Sequence, residues 1–169
     1  MMPKESFSVG VLVKKRRIDH PWADFSWQPT GILPAAPAVA PWTVVAREAD
    51  GEIYYAGAQD VTLYSGETSH YRDNLVSGRP SLWVALRSAG EGYALSSVCA
   101  DPYEGESQVQ DPDLIVEAVP MPPEIAGRLQ DFVERFHVEQ TFVKRKRKKD
   151  IGDTSVRPAA RVLGLEDER

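Results

Sequence analysis

The amino-acid sequence predicts an α+β domain. A meandering antiparallel sheet curls into a barrel or a sandwich, with a short mid-chain helix and a C-terminal helix packed on it. Three observations favour this fold. Short apolar segments are separated by hairpin-length turns such as Asp50-Gly51 and Gly90-Glu91-Gly92. The stretch from Glu67 to Arg87 joins a short helical pattern to a strand that is apolar on both faces. A second helical pattern, with one apolar face, follows near the C-terminus.

Apolar segments of strand length recur along the chain. They are Phe7–Val13, Ile32–Leu33, Trp42–Arg47, Glu52–Ala56, Val61–Leu63, Ser81–Arg87, Tyr93–Cys99 and Leu114–Val119. The basic residues Lys14–Arg17 extend the first strand into solvent. Ser81–Arg87 has apolar residues on both faces, so we expect it to be the middle strand of a sheet.

Proline and glycine divide these segments. Pro21 and Pro29 bound a predicted loop, in which Trp22 and Trp27 anchor against the core. The segment from Pro34 to Pro41 is predicted to be a stiff, extended connector. Gly57 is predicted to separate two strands.

The first helix is predicted over Glu67–Val76, where Tyr71 and Leu75 lie four residues apart on one edge. Gly78 permits a left-handed stop, and Pro80 disfavours helical backbone at the residue before it. The acidic segment that begins at Asp101 is predicted to be a loop or one weak helical turn.

The C-terminal helix has the strongest pattern in the chain. Pro123 suits its first turn, and we expect the helix to run to about His137 or Val138. Its apolar face consists of Ile125, Leu129, Phe132, Val133 and Phe136.

The charge of the chain is unevenly distributed. The net charge is −5, but residues 140–169 hold nine Lys or Arg and five Asp or Glu, whereas residues 1–139 hold 11 and 20. We therefore predict one globular domain over residues 1–143, followed by a basic run and a largely disordered tail over 144–169. The acidic body argues against nucleic-acid binding.

The sequence favours a cytoplasmic protein without a membrane span. The N-terminal charges follow the first apolar residues, the reverse of a secretory signal, and prolines interrupt the apolar stretch Thr30–Val45. The single cysteine, Cys99, excludes an internal disulfide and sits in an apolar alternation, so we expect a buried, inert thiol.

No segment has the residue spacing of a known catalytic or cofactor-binding motif. His20, His70, His137 and Cys99 are too scattered to predict a metal site. There is no nucleophile elbow and no glycine-rich phosphate loop. We therefore predict no catalytic residues, no metal and no cofactor.

Two groups of residues are candidates for binding. The four tryptophans either fill the core or line a ligand pocket, and a pocket would include Trp22, Trp27, Tyr71 and Arg72. The basic run is either a solvated tail or a docking segment for an acidic protein surface. Its residues are Lys144, Arg145, Lys146, Arg147, Lys148 and Lys149.

The chain as a whole resembles a bacterial family, domain of unknown function 3305, over roughly residues 7–147. The resemblance rests on VGVLVKKRRIDHPWADFSWQPTGILP, PWTVV, IYYAG, ETSHYRDNLVSGRPSLWVALR, SSVCADPYE, IVEAVPMP and FHVEQTFVKRKR. Residues 150–169 match no part of the family pattern. Genes of this family tend to lie beside those for molybdenum-containing formate dehydrogenases and their maturation factors. Some members carry a molybdopterin-guanine dinucleotide biosynthesis label, but the glycine-rich nucleotide-binding loop of nucleotidyltransferases is absent here.

The resemblance and the composition together favour a non-enzymatic accessory or binding protein in molybdoenzyme maturation or assembly. Its expected partner is an acidic protein surface or a molybdoenzyme subunit. The alternative is a ligand carrier, or an enzyme, that acts on a molybdopterin cofactor precursor. A nucleic-acid-binding module is a third hypothesis, since the basic run could bind phosphates and tryptophans can stack on bases.

Overall fold

The computed structural model describes residues 3–137 of the chain. Its strands are β1 (Lys4–His20), β2 (Ala23–Leu33), β3 (Thr43–Glu48), β4 (Gly51–Tyr64), β5 (Ser81–Ala89), β6 (Gly92–Cys99) and β7 (Leu114–Pro120). Its helices are α1 (Thr68–Leu75), which follows a 3-10 turn over Ser65–Glu67, α2 (Pro102–Val109) and α3, helical over residues 123–137.

The first sheet has the strand order β2-β1-β4-β3, and all its pairings are antiparallel. Val9, Val11 and Val13 are fully buried along one face of β1, as the alternation in the sequence predicts. The strand continues through Lys14–Arg17 as expected, and it ends only at His20.

Two predicted breaks lie inside long strands. The loop predicted from Pro21 to Pro29 is mostly strand β2, which tolerates Pro29 because it is an edge strand and shifts register there. The two strands predicted on either side of Gly57 are one strand, β4. Gly57 adopts φ +131° where the pairing with β1 shifts by one residue, so the glycine marks a bulge instead of an end.

The second sheet has the order β6-β5-β7, so β5 is its middle strand, as predicted. Leu82, Val84 and Leu86 are fully buried on one face of β5, and Trp83 and Ala85 are buried on the other. The two sheets approach each other where β2 lies near β7 and β4 lies near β6. Within the described residues the sheets do not close into a barrel, and the fold is a sandwich-like α+β arrangement.

The first helix lies within its predicted range, whereas α2 is a helix of eight residues where a loop or a weak turn was predicted. Asp101 caps α2, since its side chain accepts hydrogen bonds from the backbone N–H groups of Tyr103 and Glu104. Pro102 stands in the first turn of the helix.

Four members of the predicted apolar face of α3 are buried, Ile125, Leu129, Phe132 and Val133, whereas Phe136 is half-buried. The Phe132 ring meets the ring of Tyr71 edge-on at 6.2 Å between centroids. The compact body extends to Val133, and residues 134–137 belong to a second unit. The end of α3, the predicted boundary at residue 143 and the tail beyond it lie outside the described residues.

No helix in the described part of the chain is long and apolar enough to cross a membrane.

Candidate functional site

An open cleft of about 900 Å³ lies over one face of the second sheet. It is bounded by the end of α1 and the turn after it, by α2, and by strands β5 and β7. The residues that give it its chemistry are Asp73, Arg79, Trp83, Tyr103, Glu106 and Met121. Most of the exposed lining is apolar.

Trp83 connects the middle strand to the helix that forms one wall of the cleft. Its side chain is 8% exposed, and the indole Nε1–H donates a hydrogen bond of 3.2 Å to Oε2 of Glu106. Gly105 is buried against the indole ring. Because glycine has no side chain, the backbone of α2 can approach the ring closely.

The two helices beside the cleft are joined by a hydrogen bond between side chains. The Tyr103 hydroxyl donates to Oδ2 of Asp73 at 2.9 Å. Formation of this bond, together with the negative charge of Asp73, raises the pKa of Tyr103. At neutral pH the Tyr103 side chain is therefore a neutral phenol, which can donate this hydrogen bond to Asp73.

Asn74 fixes the base of the cleft where α1 meets β5. Its amide donates to the carbonyl oxygens of Ser81 at 2.8 Å and Ala100 at 2.9 Å, and its Oδ1 accepts from the N–H of Ser81 at 3.0 Å. The Asn74 side chain is 2% exposed, so these hydrogen bonds satisfy its amide group in place of water.

Arg79 is exposed at the rim of the cleft, on the turn that includes Gly78 at φ +88°. Within the described part of the chain it forms no ion pair. By contrast, Asp73 and Glu106 are each engaged by an aromatic donor. Among the charged side chains of the cleft, the Arg79 guanidinium is therefore the one without an ion pair or a hydrogen-bond partner in the described part of the chain.

The structure places the four predicted pocket residues at different positions, and none lines the cleft. Trp22 is 87% exposed at the tip of the β1–β2 hairpin, and Arg72 is exposed on α1. Tyr71 is 2% exposed, and burial raises its pKa to about 12. Trp27 is half-buried on β2. The interpretation that the tryptophans fill the core holds fully only for Trp83.

Trp27 belongs to a half-buried aromatic cluster that the sequence did not indicate. Its ring lies 5.9 Å from that of Trp42, 6.0 Å from that of Tyr54 and 5.5 Å from that of Tyr93. Trp42 adopts φ +64°, a left-handed conformation that is rare for a large side chain. The cluster joins β2, β4 and β6 across the two sheets.

The cleft was not predicted from the sequence because its residues come from four separate elements. The one local signal was the segment beginning at Asp101, where a capping residue, a proline and Glu104 indicate a helix start. The predicted partner-binding residues Lys144–Lys149 lie outside the described residues, and their role stays a prediction.

Residues 8–147 match the family model described as "Protein of unknown function (DUF3305)". No curated protein matches the chain, and no solved structure matches it. The family description names no activity, substrate or partner. Because the matched region covers most of the sequence, the chain belongs to this family of proteins of unknown function.

Proposed function

We propose that the protein is a non-enzymatic accessory protein that binds a partly folded partner protein through the cleft, in the maturation or assembly of a molybdenum-containing formate dehydrogenase. The observation that carries the binding role is the open cleft of about 900 Å³ with its apolar lining. The choice of partner rests on the family resemblance and on the gene neighbourhood that the resemblance implies.

The chemistry of the cleft supports recognition of an apolar protein segment. Ala118, Pro120 and Met121 form an apolar strip along β7 and the residue after it, and Trp83 forms the adjoining surface. Methionine adapts to varied apolar partners, which suits a protein that meets an incompletely folded chain, and aromatic side chains are enriched where interfaces contribute most to affinity. Arg79 at the rim supplies a charge-assisted contact for a carboxylate or carbonyl group.

The arrangement of the two cleft carboxylates also supports binding over catalysis. Asp73 accepts a hydrogen bond from Tyr103, and Glu106 accepts one from Trp83. The first bond joins α2 to α1, and the second joins α2 to the sheet. These hydrogen bonds give both carboxylates a structural role in the walls of the cleft. A general acid or base instead needs its carboxylate directed at a substrate.

The second candidate is a carrier of a molybdopterin cofactor precursor, or an enzyme acting on one. The volume of the cleft favours it, since about 900 Å³ lies within the range of small-molecule sites. Tyr103, which is 57% exposed, offers aromatic surface, and Arg79 offers a cation for an anionic group. In this alternative the ligand occupies the same cleft, so the experiment must distinguish binding of a small molecule from binding of a protein segment.

The experiment uses the full chain and the purified catalytic subunit of a molybdenum-containing formate dehydrogenase, prepared with and without its cofactor. Ala118→Arg places a large cation in the cleft at an exposed position of β7. Val109→Arg is the matched control, because Val109 is 49% exposed on α2 and does not line the cleft. Binding is measured by calorimetric titration, and folding of both variants by circular dichroism.

We expect the unaltered chain to bind the cofactor-free subunit. Ala118→Arg should weaken this binding by about tenfold or more, as loss of a buried contact at the centre of an interface does. Val109→Arg should leave it within about twofold. Equal binding by both variants would contradict the role of the cleft. Binding of a purified molybdopterin precursor without binding of the subunit would instead support the carrier.

A further inference from the structure

Three side chains that can bind a metal ion converge beside the cleft, although the sequence places one of them far from the other two. His70 Nδ1 lies 2.9 Å from Oδ2 of Asp101 and 3.2 Å from Oε1 of Glu67. One ligand atom from each residue lies within 4.8 Å of the other two. Glu67 precedes α1, His70 lies in it, and Asp101 caps α2.

A hydrogen bond from Nδ1 of His70 serves only one of the two carboxylates fully. A histidine Nδ1 carries at most one proton, so it can donate one full hydrogen bond, yet two carboxylate oxygens lie within reach of it. If the proton is on Nε2 instead, the lone pair of Nδ1 faces two anionic groups. A cation between the three atoms would satisfy both carboxylates and the nitrogen lone pair together.

The charges around the cluster also favour a cation. Glu104 stands in the first turn of α2, and its backbone N–H donates a hydrogen bond of 3.4 Å to Oδ1 of Asp101. Within the described residues, no lysine or arginine forms an ion pair with Glu67, Asp101 or Glu104. Among the described residues, the two carboxylates that face the imidazole of His70 therefore have no permanent positive charge paired with them.

We propose that Glu67, His70 and Asp101 form a binding site for a divalent transition-metal ion of the zinc class. Zinc bonds of about 2.0 Å to nitrogen and oxygen in a tetrahedron imply ligand atoms about 3.3 Å apart. The two distances from Nδ1 of His70 are close to that value. A mixed set of one imidazole and two carboxylates is a donor set that zinc accepts.

The surroundings hold two of the ligands in place. Oδ1 of Asp101 accepts from the backbone N–H of Tyr103 at 2.9 Å, which leaves Oδ2 for the metal. The imidazole of His70 packs against the Tyr103 ring at 4.4 Å between centroids. His70 and Glu67 are partly exposed, so water has access to the remaining coordination position.

A metal ion here would fasten α1 to α2 next to the cleft. Tyr103 contacts His70 through its ring and Asp73 through its hydroxyl, so the metal site and the cleft wall share this side chain. The proposal does not depend on the identity of the cleft ligand, because the three ligand residues lie outside the cleft lining.

The test is a titration of the metal-free full chain with Co²⁺, followed by competition with Zn²⁺. Tetrahedral Co²⁺ absorbs visible light far more strongly than the hydrated ion, so the spectrum reports the geometry of the site. The variants are His70→Gln and Glu67→Gln. His20→Gln is the matched control, because His20 is an exposed histidine at the hairpin tip. Thermal unfolding in the presence of a chelator checks that each variant folds.

We expect one Co²⁺ ion to bind the unaltered chain and the His20→Gln variant, and Zn²⁺ to displace it. His70→Gln should abolish the visible absorption. Glu67→Gln, at a half-exposed position that tolerates substitution, should weaken binding by about tenfold or more, since even partners outside the ligand shell contribute about 10–100-fold to metal affinity. Absence of binding, or equal binding by the Glu67→Gln and His20→Gln variants, would refute the site and leave His70 as an ion-pairing residue between two carboxylates.

Discussion

The indole ring of Trp83 lies directly against the backbone of Gly105, so close that a methyl group on residue 105 would overlap the ring. This contact brings α2 onto the face of the second sheet. The adjoining hydrogen bond from Trp83 to Glu106 holds it there. The wall of the cleft therefore depends on a glycine that sequence analysis did not single out.

Gly105→Ala should destabilise the protein, although alanine is normally the better residue in a helix. The added methyl group collides with a buried ring, and we expect a loss of about 1–3 kcal/mol, the usual cost of overpacking. The matched control is Gly127→Ala on α3, where nothing lies within 4 Å of the added methyl group. That variant should gain up to about 1 kcal/mol. Urea denaturation measures both, and equal effects would contradict the close packing.

Asn74→Asp should be strongly destabilising despite its nearly identical shape. A carboxylate cannot donate hydrogen bonds, so the carbonyl oxygens of Ser81 and Ala100 would lose their donor, and the new carboxylate would carry its charge in a buried site. Each unsatisfied buried group costs about 1–3 kcal/mol, so we expect a total of about 3 kcal/mol or more near neutral pH. Denaturant unfolding checks the value. A loss below about 1 kcal/mol would mean that Asn74 does not hold the base of the cleft.

The thiol of Cys99 should be unreactive in the folded protein. The residue is 9% exposed, and burial raises the pKa of its thiol to about 12. Because the thiolate is the reactive form, a disulfide reagent at mildly alkaline pH should modify none of the native protein and one thiol per chain after denaturation. Rapid modification of the native protein would show that the strand end at Cys99 opens.

The periodicity of apolar residues predicted where the strands lie, but it could not distinguish the end of a strand from a bulge within it. Pro29 and Gly57 carry the residue types of turns, and each instead stands inside a long strand. Whether a proline can stay in a strand depends on its lying at the sheet edge, which is a property of the topology and not of the local sequence. The middle position of Ser81–Arg87 was predictable because burial on both faces leaves a pattern in the sequence itself.

The sites were less predictable than the fold because their residues are distant in the chain. His70 and Asp101 are 31 residues apart, and only the packing of α1 beside α2 brings them together. Trp83 and Gly105 likewise belong to a strand and a helix that no local pattern connects. By contrast, four of the five predicted members of the apolar face of α3 are buried and Phe136 is half-buried, because a face on one helix can be predicted from spacing alone.

A chain that ends at Val143 should remain folded, because the sheets and the buried face of α3 precede that residue. It should bind the cofactor-free formate dehydrogenase subunit more weakly than the full chain does. Exposed ion pairs contribute only about 0–1 kcal/mol each, so the effect requires several members of Lys144–Lys149 acting together. Added salt should weaken binding of the full chain more than that of the shortened chain. Equal affinity and equal salt dependence would make the basic run a solvated tail.

The measurement that tests the central claim most directly is hydrogen–deuterium exchange of the full chain, alone and with the cofactor-free subunit. If the partner occupies the cleft, amide exchange should slow over residues 77–81 and around Ala118 and Met121, which line it. Exchange at the β1–β2 hairpin tip around Trp22, which lies outside the cleft lining, should remain unchanged. Slower exchange confined to that hairpin, with no change at the cleft, would contradict the account.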